Sequence, residues 1–311
     1  MNTGIQYLGE ACGNALYCKR EDLLPFSFGG NKARKAALFF QQIDQGGYDV
    51  VVSYGSGSSN HCRVIANLCA ARGLECQLIS PKEAMEDSFN LRMTELFGAG
   101  RTVVPVDQVH DTIEARLAAL RSAGRNPYFI PGGGHGNLGT RAYAECFQEI
   151  LDWERSNGIR FDEIFLATGT GTTQAGLICG KLLSGSKLRI QGVSIARPCP
   201  RGREIVKQSV REYLTALHHP ICEDELEQAV VFLDRYIGDG YGKENREIRN
   251  TVKNALIRYG LPLDLVYTGK AFWGMEQELA LQGIVGKNVL FLHTGGTPLF
   301  FDYLKMEENA L

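Results

Sequence analysis

The regular alternation of short apolar runs with helix-like segments is the strongest constraint on the fold of this chain. Residues 48–53 and 163–167 are typical of buried strands, and each run leads through a short polar loop into an apolar helical pattern. Repeated strand–loop–helix units predict an α/β fold with mostly parallel sheets. Ligands in such folds bind at the carboxyl ends of the strands, so the loops after Ser53, Ala167 and Leu292 are the candidate binding sites.

Composition limits the classes of protein to which the chain can belong. Its 311 residues leave room for two domains, and 44% hydrophobic with 22% charged residues is typical of globular proteins. The formal net charge of −2 argues against a nucleic-acid partner but is compatible with a local anion site. We expect no membrane segment, because no apolar stretch reaches the roughly 18 residues of a membrane span. We also expect no signal peptide, because residues 1–6 lack the basic and then apolar pattern of one. Nine cysteines without a Cys-x-x-Cys pair favour a reduced, cytoplasmic protein without a metal site.

Lys32 is the most informative single residue. Two glycines and an asparagine precede it, and the apolar helical run 33–42 follows. A helix N-terminus disfavours an ammonium and lowers its pKa, and a lysine with a lowered pKa can form a Schiff base. Taken alone, Lys32 is more simply explained as a solvated cation beside Arg34 and Lys35.

The loop at residues 167–176 has the composition of a phosphate site. It lies between a predicted strand and a predicted helix, where backbone N–H groups and the helix dipole favour an anion. It lacks the Gly-Lys-Ser/Thr ending of a P-loop, and its glycine spacing does not match the dinucleotide pattern. The alternative is a glycine-rich turn that serves only close packing.

Three further segments carry polar side chains at predicted helix starts. Ser59, Asn60 and His61 begin one helix, although a serine or asparagine there can be a simple N-cap and a single histidine is more often structural. Thr294 lies in a glycine-rich loop after the last strand, and Tyr267 precedes another helix, where a helix cap and a core tyrosine are the respective alternatives. A Schiff-base lysine, a phosphate loop, a flat glycine-lined slot and hydroxyl donors together predict a pyridoxal 5′-phosphate site.

With these motifs, the chain resembles the family of D-cysteine desulfhydrases and 1-aminocyclopropane-1-carboxylate (ACC) deaminases, among the tryptophan-synthase-β-like, fold type II pyridoxal phosphate enzymes. The matching segments occur in the family's order and are residues 29–35, 59–61, 172–176, 267–270 and 293–296. The resemblance implies two open, twisted, mostly parallel sheets with flanking helices and the cofactor in the cleft between two domains. The large domain would comprise residues 1–44 and 151–311, the small inserted α/β domain residues 45–150, and the protein would be a homodimer.

The resemblance also implies the residues that hold the cofactor. Lys32 would carry pyridoxal 5′-phosphate as a Schiff base, and Asn60 would hydrogen-bond its 3′-oxygen. Thr294 would face the pyridine nitrogen, with Thr268 nearby. The residues that would bind the phosphate are Thr170, Gly171, Thr172 and Thr173.

Three further residues would face a small amino-acid substrate. By the resemblance, Ser59 would contact the substrate carboxylate or act as an acid–base partner, and Tyr267 would lie against the cofactor ring. Tyr241, between Gly240 and Gly242, matches a second active-site tyrosine of the family.

Position 268 helps to predict the reaction. ACC deaminases carry a glutamate there, which keeps the pyridine nitrogen protonated, whereas this chain has Thr268, as D-cysteine desulfhydrases do. We therefore expect α,β-elimination, with D-cysteine converted to pyruvate, ammonia and hydrogen sulfide, and Lys32 as the base that removes the α-proton. ACC deamination, a β-replacement reaction and a non-catalytic cofactor-binding paralogue are the alternatives. Segments 54–58 and 132–137 depart from the family pattern near the expected substrate, which leaves the substrate open.

Overall fold

The structure is a computed structural model that describes residues 1–308. The burial of side chains is described for residues 1–305. The strands in chain order are β1 (Ile5–Ala11), β2 (Asn14–Arg20), β3 (Val50–Tyr54), β4 (Glu75–Pro81), β5 (Gly100–Val104), β6 (Pro127–Ile130), β7 (Glu163–Thr168), β8 (Arg189–Ser194), β9 (Val231–Leu233) and β10 (Asn288–His293). The helices are α1 (Asn31–Gly46), α2 (Asn60–Ala70), α3 (Phe89–Leu96), α4 (Val109–Ser122), α5 (Asn137–Asn157), α6 (Thr172–Ser184), α7 (Arg201–Ala216), α8 (Glu223–Ala229), α9 (Arg246–Tyr259), α10 (Thr268–Leu281) and α11 (Thr297–Glu308).

These elements form two sheets flanked by helices, as the sequence predicted. The larger sheet has the order β1-β2-β10-β7-β8-β9, and the smaller one has the order β5-β4-β3-β6. All strand pairs are parallel except the β1–β2 hairpin. All six residues of β7 are buried, as expected for a central parallel strand that helices cover on both faces. The predicted fold class is therefore confirmed.

The segment 201–260 contains the helices α7, α8 and α9. Between α8 and α9 the described chain has the short strand β9 and an irregular stretch. This stretch carries Tyr241, whose loop becomes part of the site described below.

The smaller sheet is inserted in the chain between α1 and α5. The predicted domain limits, after residues 44 and 150, both fall inside these two helices. The division into domains at those residues therefore stays a prediction. Within residues 1–308, no helix combines the length and the apolar character that crossing a membrane would require.

A buried ionic network fixes α1 against the larger sheet. Arg34 of α1 donates from Nε to Glu21 Oε2 at 2.5 Å and from Nη1 to Glu149 Oε1 of α5 at 2.8 Å. Arg34 and Glu21 are almost completely buried, and Tyr143 donates to the same Glu21 carboxylate at 3.0 Å. Removing one partner of such a pair leaves a buried charge uncompensated, so the network specifies the position of α1.

The close packing of α5 on α6 depends on glycines in α6. A Cβ atom at Gly180 would lie 2.5 Å from Phe147 Cβ and 3.0 Å from the Ala144 carbonyl oxygen. A carbonyl oxygen and a Cβ atom cannot move independently of the backbone, so the overlap can be relieved only if the two helices move apart.

We therefore expect Gly180→Ala to lower the free energy of unfolding by about 1–2 kcal/mol, because the overlap outweighs the better helix propensity of alanine. Urea unfolding followed by circular dichroism measures this change. Gly4→Ala is the control, since a Cβ there meets no atom within 4 Å. Equal stability of the Gly180→Ala protein and the wild type would contradict the packing argument.

Candidate active site

Loops at the carboxyl ends of strands from both sheets enclose one cavity of about 330 Å³. Its lining comes from the loops after β3, β6, β7, β8 and β10, from the start of α1 and from two tyrosines. All three loops that the sequence singled out contribute to it. The predicted site residues that line the cavity are Lys32, Ser59, Asn60, Thr170, Gly171, Thr173, Tyr241, Tyr267 and Thr294.

Lys32 lies in the first turn of α1, with its amine in the cavity. The helix begins after Gly30, whose φ of 89° and whose contact with the Thr294 carbonyl oxygen exclude a side chain. Lys32 Nζ donates a hydrogen bond to the Gly133 carbonyl oxygen at 3.1 Å. Burial lowers the pKa of Lys32 to about 8, so about one fifth of the amine is neutral near physiological pH and able to act as a nucleophile.

Asn31 fixes the start of α1 and thereby the position of Lys32. Its backbone N–H donates to the Thr294 carbonyl oxygen at 2.9 Å, and its side-chain Nδ2 donates to Thr173 Oγ1 at 3.0 Å. The lysine, the predicted phosphate loop and the loop after β10 therefore form one connected unit. The sequence marked Asn31 only as part of a motif, because its partners are more than a hundred residues away.

The predicted phosphate loop is the N-terminus of α6. Gly171 precedes the helix with φ 88°, a left-handed conformation that favours glycine. The first N–H groups of a helix lack intrahelical partners, so this end can bind an anion. The Thr172 side chain does not line the cavity, because its hydroxyl is paired with His135 Nδ1 at 2.9 Å. Thr172 can therefore contribute its backbone N–H, while the Thr170 and Thr173 side chains face the cavity.

Lys35 is a cation that the sequence did not distinguish from its neighbours. It is 1% exposed, and its Nζ has no hydrogen-bond partner among the described residues. Burial and the nearby charge of Lys32 hold the pKa of Lys35 well below its ordinary value. Its charge also lowers the pKa values of His61 and His135. Lys35 does not itself line the cavity, and the negative charge of an anion bound there would favour its protonated form.

Asn60 presents its amide N–H groups to the cavity because its carbonyl is already engaged. Its Oδ1 accepts from Arg63 Nη1 at 2.5 Å and from Asn90 Nδ2 at 3.0 Å. Arg63 is 1% exposed, and burial lowers its pKa to about 10. With Oδ1 satisfied twice, Nδ2 is left as the donor for an oxygen of a bound ligand. Ser59 is the N-cap of α2, with its Oγ accepting from Cys62 N at 3.2 Å, and it also lines the cavity.

His61 is neutral, and its tautomer follows from its partner. Burial holds the pKa of His61 well below its ordinary value. Ser53 Oγ donates its one proton to the Ile130 carbonyl oxygen at 2.7 Å, so it can only accept from His61 Nε2 at 2.8 Å. His61 therefore carries its proton on Nε2 and closes the wall of the cavity as an uncharged ring.

Two tyrosine hydroxyls meet at the cavity. The hydroxyl oxygens of Tyr241 and Tyr267 are 2.5 Å apart, and burial holds the pKa of Tyr267 well above its ordinary value. Lys270 holds the loop of Tyr241 in place by donating to the carbonyl oxygens of Ile237 and Gly240, each at 2.7 Å. Lys270 was part of a sequence motif, but nothing in the sequence indicated this contact.

Thr268 does not line the cavity, whereas Thr294 does. The Thr268 hydroxyl donates to Asp264 Oδ2 at 2.7 Å and accepts from Asp264 N at 2.9 Å, and both residues are completely buried. The Asp264 carboxylate lies directly behind Gly296, where a Cβ atom would overlap it. Thr268 thus supports the loop after β10 from behind, and its predicted role near the pyridine nitrogen stays a prediction.

The residues present fit pyridoxal 5′-phosphate. A lysine of lowered pKa, a helix N-terminus and an asparagine amide all line one cavity. These groups match an aldehyde, a phosphate and a ring oxygen.

Replacing Lys35 tests whether the cavity is built for an anion. Lys35→Met should raise the stability of the cofactor-free protein near neutral pH, because it removes a buried amine that folding must deprotonate. The gain should shrink as pH rises towards the ordinary lysine pKa of about 10.4, where the unfolded chain also loses that proton. Thermal unfolding between about pH 7 and 10 measures both effects.

Inorganic phosphate should then stabilise the wild type more than the Lys35→Met protein. Lys82→Met is the control, because Lys82 is exposed. Two results together would contradict this role of Lys35 in anion binding. They are a Lys35→Met protein that is less stable than the wild type, and a stabilisation by phosphate that is equal in the two proteins.

Comparisons with known proteins agree with this geometry. The sequence profile of the family described as "Pyridoxal-phosphate dependent enzyme" matches residues 3–295. The D-cysteine desulfhydrase of Serratia proteamaculans is 31% identical over 311 residues, covering 96% of this chain and 92% of that protein. A Pyrococcus abyssi protein provisionally named as an ACC deaminase is 32% identical over 309 residues, covering 97% and 91%.

Comparison with solved structures points to the same group of proteins. The crystal structure of an ACC deaminase homologue superposes with a TM-score of 0.88 at 30% identity, covering 100% of this chain and 94% of that one. The crystal structure of a pyridoxal 5′-phosphate-dependent aspartate racemase, at 17% identity and a TM-score of 0.65, shares the fold alone. The chain therefore belongs to the pyridoxal-phosphate-dependent enzymes, and within them to the family that contains D-cysteine desulfhydrases and ACC deaminases.

Proposed function

We propose that this enzyme catalyses α,β-elimination on a β-substituted amino acid, with D-cysteine as the best candidate and pyruvate, ammonia and hydrogen sulfide as products. The observation that carries the proposal is the pairing of an amine and two hydroxyls in one cavity. Lys32 has a lowered pKa, and Tyr241 and Tyr267 share a short hydrogen bond, so a base and a proton donor face the same space.

The lining residues have separate tasks in this proposal. Pyridoxal 5′-phosphate, when bound, supplies an electron sink for a carbanion. Lys32 holds the cofactor and then, as a free amine, takes the proton from the substrate Cα. The tyrosine pair gives a proton to the departing sulfur. Ser59 and Asn60 line the cavity, where the serine hydroxyl can donate to the substrate carboxylate and the asparagine amide to the cofactor.

The charges of the lining support an amino-acid substrate. No aspartate or glutamate is among the described residues that line the cavity. The substrate carboxylate therefore meets hydroxyl and amide donors without repulsion. The lining also offers the pyridine nitrogen no carboxylate, which agrees with a largely neutral ring that suffices for the loss of a good leaving group.

ACC deamination is the second candidate, and the names of two relatives favour it. Both the Pyrococcus abyssi protein and the solved homologue are named for that activity. The two reactions are distinguishable by product, because β-elimination from cysteine gives pyruvate and ring opening of ACC gives 2-oxobutyrate.

We also propose that the protein is a cytoplasmic homodimer. The unpaired state of all nine cysteines supports a reducing compartment, and the family resemblance supports the dimer. Light scattering on the holoenzyme measures the oligomeric state, and the mass of a single chain would contradict the dimer.

The proposed function is tested by trapping and by product analysis. Borohydride reduction of the holoenzyme should attach the cofactor to Lys32, as read by peptide mass spectrometry. With D-cysteine, L-cysteine, D-serine and ACC supplied in parallel, we expect D-cysteine to give pyruvate at the highest rate. Lys32→Ala should lower that rate by about 10³-fold or more, because it removes both the attachment point and the base.

Lys82→Ala is the matched control, since this lysine is exposed and outside the cavity. Production of 2-oxobutyrate from ACC without pyruvate from any β-substituted substrate would overturn elimination in favour of deamination. A cofactor-loaded protein that turns over none of the four compounds would overturn both candidates.

A further inference from the structure

Tyr54 and Gly132 bring together the two segments that depart from the family pattern. Tyr54 is the last residue of β3 and begins segment 54–58, and Gly132 follows β6 and begins segment 132–137. β3 and β6 are parallel neighbours in the smaller sheet, so their carboxyl ends lie side by side. Both residues line the active cavity, and no role for either follows from the motifs of the sequence.

The Tyr54 ring occupies the space where a side chain at position 132 would lie. A Cβ atom at Gly132 would be 2.6 Å from Tyr54 Cζ, 2.9 Å from Cε2 and 3.0 Å from Cε1. The φ of Gly132 is outside the left-handed region, so its backbone would accept an L-residue. The ring of Tyr54, rather than the backbone conformation, therefore accounts for a glycine at this position.

The neighbouring strands support the Tyr54 ring. Its plane lies 7° from that of Phe129 on β6, with the ring centroids 6.5 Å apart. The backbone after it is fixed by Gly55 N, which donates to the Ile79 carbonyl oxygen of β4 at 3.1 Å. Tyr54 is nevertheless 37% exposed, so its ring can rotate towards solvent when a larger group displaces it.

Tyr54 lies between two groups that the proposed function places against the substrate. On one side, the carbonyl oxygen of Gly133, one residue beyond the glycine under the ring, accepts from Lys32 Nζ at 3.1 Å. On the other side, a Cβ atom at Gly55 would lie 2.8 Å from Ser59 Oγ. The ring is therefore one residue away from the contacts of both the proposed base and the proposed carboxylate donor.

The space left for the rest of the substrate is small. The cavity of about 330 Å³ is at the lower end of the roughly 300–1,000 Å³ of ligand pockets, and it must hold the cofactor as well. With the substrate carboxylate at Ser59 and the α-proton at Lys32, the β-substituent faces the remaining wall. Tyr241 and Tyr267 face its sulfur in the proposed function, which leaves Tyr54 as the ring that bounds its far end.

We propose that Tyr54 is a specificity-determining residue that limits the substrate to a small β-substituent, such as the thiol of D-cysteine. This role, which rests on the proposed function, defines the class of substrate for the same site. The ring acts by its bulk, and Gly132 provides the space that the ring needs. A bulky β-substituent enters only when the ring is displaced or removed, and the hydroxyl of Tyr54 has no part in this selection.

Two substrates that give the same keto acid test this limit. D-Cysteine and S-benzyl-D-cysteine both yield pyruvate and ammonia, with hydrogen sulfide and benzyl thiol as the respective third products. The wild type should have the higher kcat/KM for D-cysteine. Tyr54→Ala should raise the ratio of kcat/KM for S-benzyl-D-cysteine to that for D-cysteine by about tenfold or more, because it removes the obstructing ring. Tyr54→Phe keeps the ring and should keep the wild-type ratio.

A double-mutant cycle isolates the contact between the two residues. Gly132→Ala adds a methyl group under the ring and should change the same ratio by displacing the ring. In the Tyr54→Ala protein the same replacement should not change it, since no ring is left to displace. Gly4→Ala, where a Cβ meets no atom within 4 Å, is the control for the glycine. Tyr7→Ala is the control for the tyrosine, because Tyr7 is exposed and outside the cavity.

A measurement without the cofactor reads the same contact. With 3-fluorotyrosine at position 54 of the cofactor-free protein, Gly132→Ala should shift the fluorine NMR signal, because the new methyl group moves the ring. Gly4→Ala should leave that signal in place.

Four outcomes, each with a wild type active on D-cysteine, would overturn the role of Tyr54 while leaving the proposed function intact. The first is a wild type that uses both substrates equally well, and the second is a Tyr54→Ala protein that keeps the wild-type ratio. The third is an effect of Gly132→Ala on the ratio that is equal with and without the Tyr54 ring. The fourth is a fluorine signal that Gly132→Ala does not shift. A wild type that releases pyruvate from neither substrate would overturn the proposed function and, with it, this role.

Discussion

The site depends on how the start of α1 is held. Asn31 connects that start to Thr173 on α6 and to Thr294 after β10, and the buried Arg34 anchors the same helix through Glu21. These contacts place the Lys32 amine where burial lowers its pKa to about 8. Both the nucleophilic character of the lysine and its position beside the anion-binding helix end follow from one packing arrangement.

The same arrangement leaves the cofactor-free protein with a buried amine that makes no hydrogen bond. Lys35 Nζ has no hydrogen-bond partner among the described residues, and the pKa values of His61 and His135 near it are lowered. A buried amine without a hydrogen-bond partner lowers the stability of the cofactor-free protein. An anion that binds nearby raises that stability, so cofactor binding and folding are coupled. Tyr241 and Tyr267 line the same cavity, with their hydroxyl oxygens 2.5 Å apart.

Much of this could be predicted from the sequence, because strand periodicity and glycine-rich loops are local signals. The parallel sheets and the helix end at Gly171 were predicted, but the β1–β2 hairpin was not, since its first strand is only partly buried. The burial of the Lys35 amine without a hydrogen-bond partner depends on how distant segments of the chain pack around it. The hydrogen bond between Asn60 and Asn90 likewise joins segments that are far apart in the chain. The burial of Thr268 behind the cavity is likewise a tertiary property that a motif cannot reveal.

The most direct test of the account is the pKa of Lys32 in the cofactor-free protein. Competitive acetylation across pH, with Lys32 followed by peptide mass spectrometry, measures it. The account predicts a midpoint at about 8. A midpoint at the ordinary lysine value of about 10.4 would contradict it.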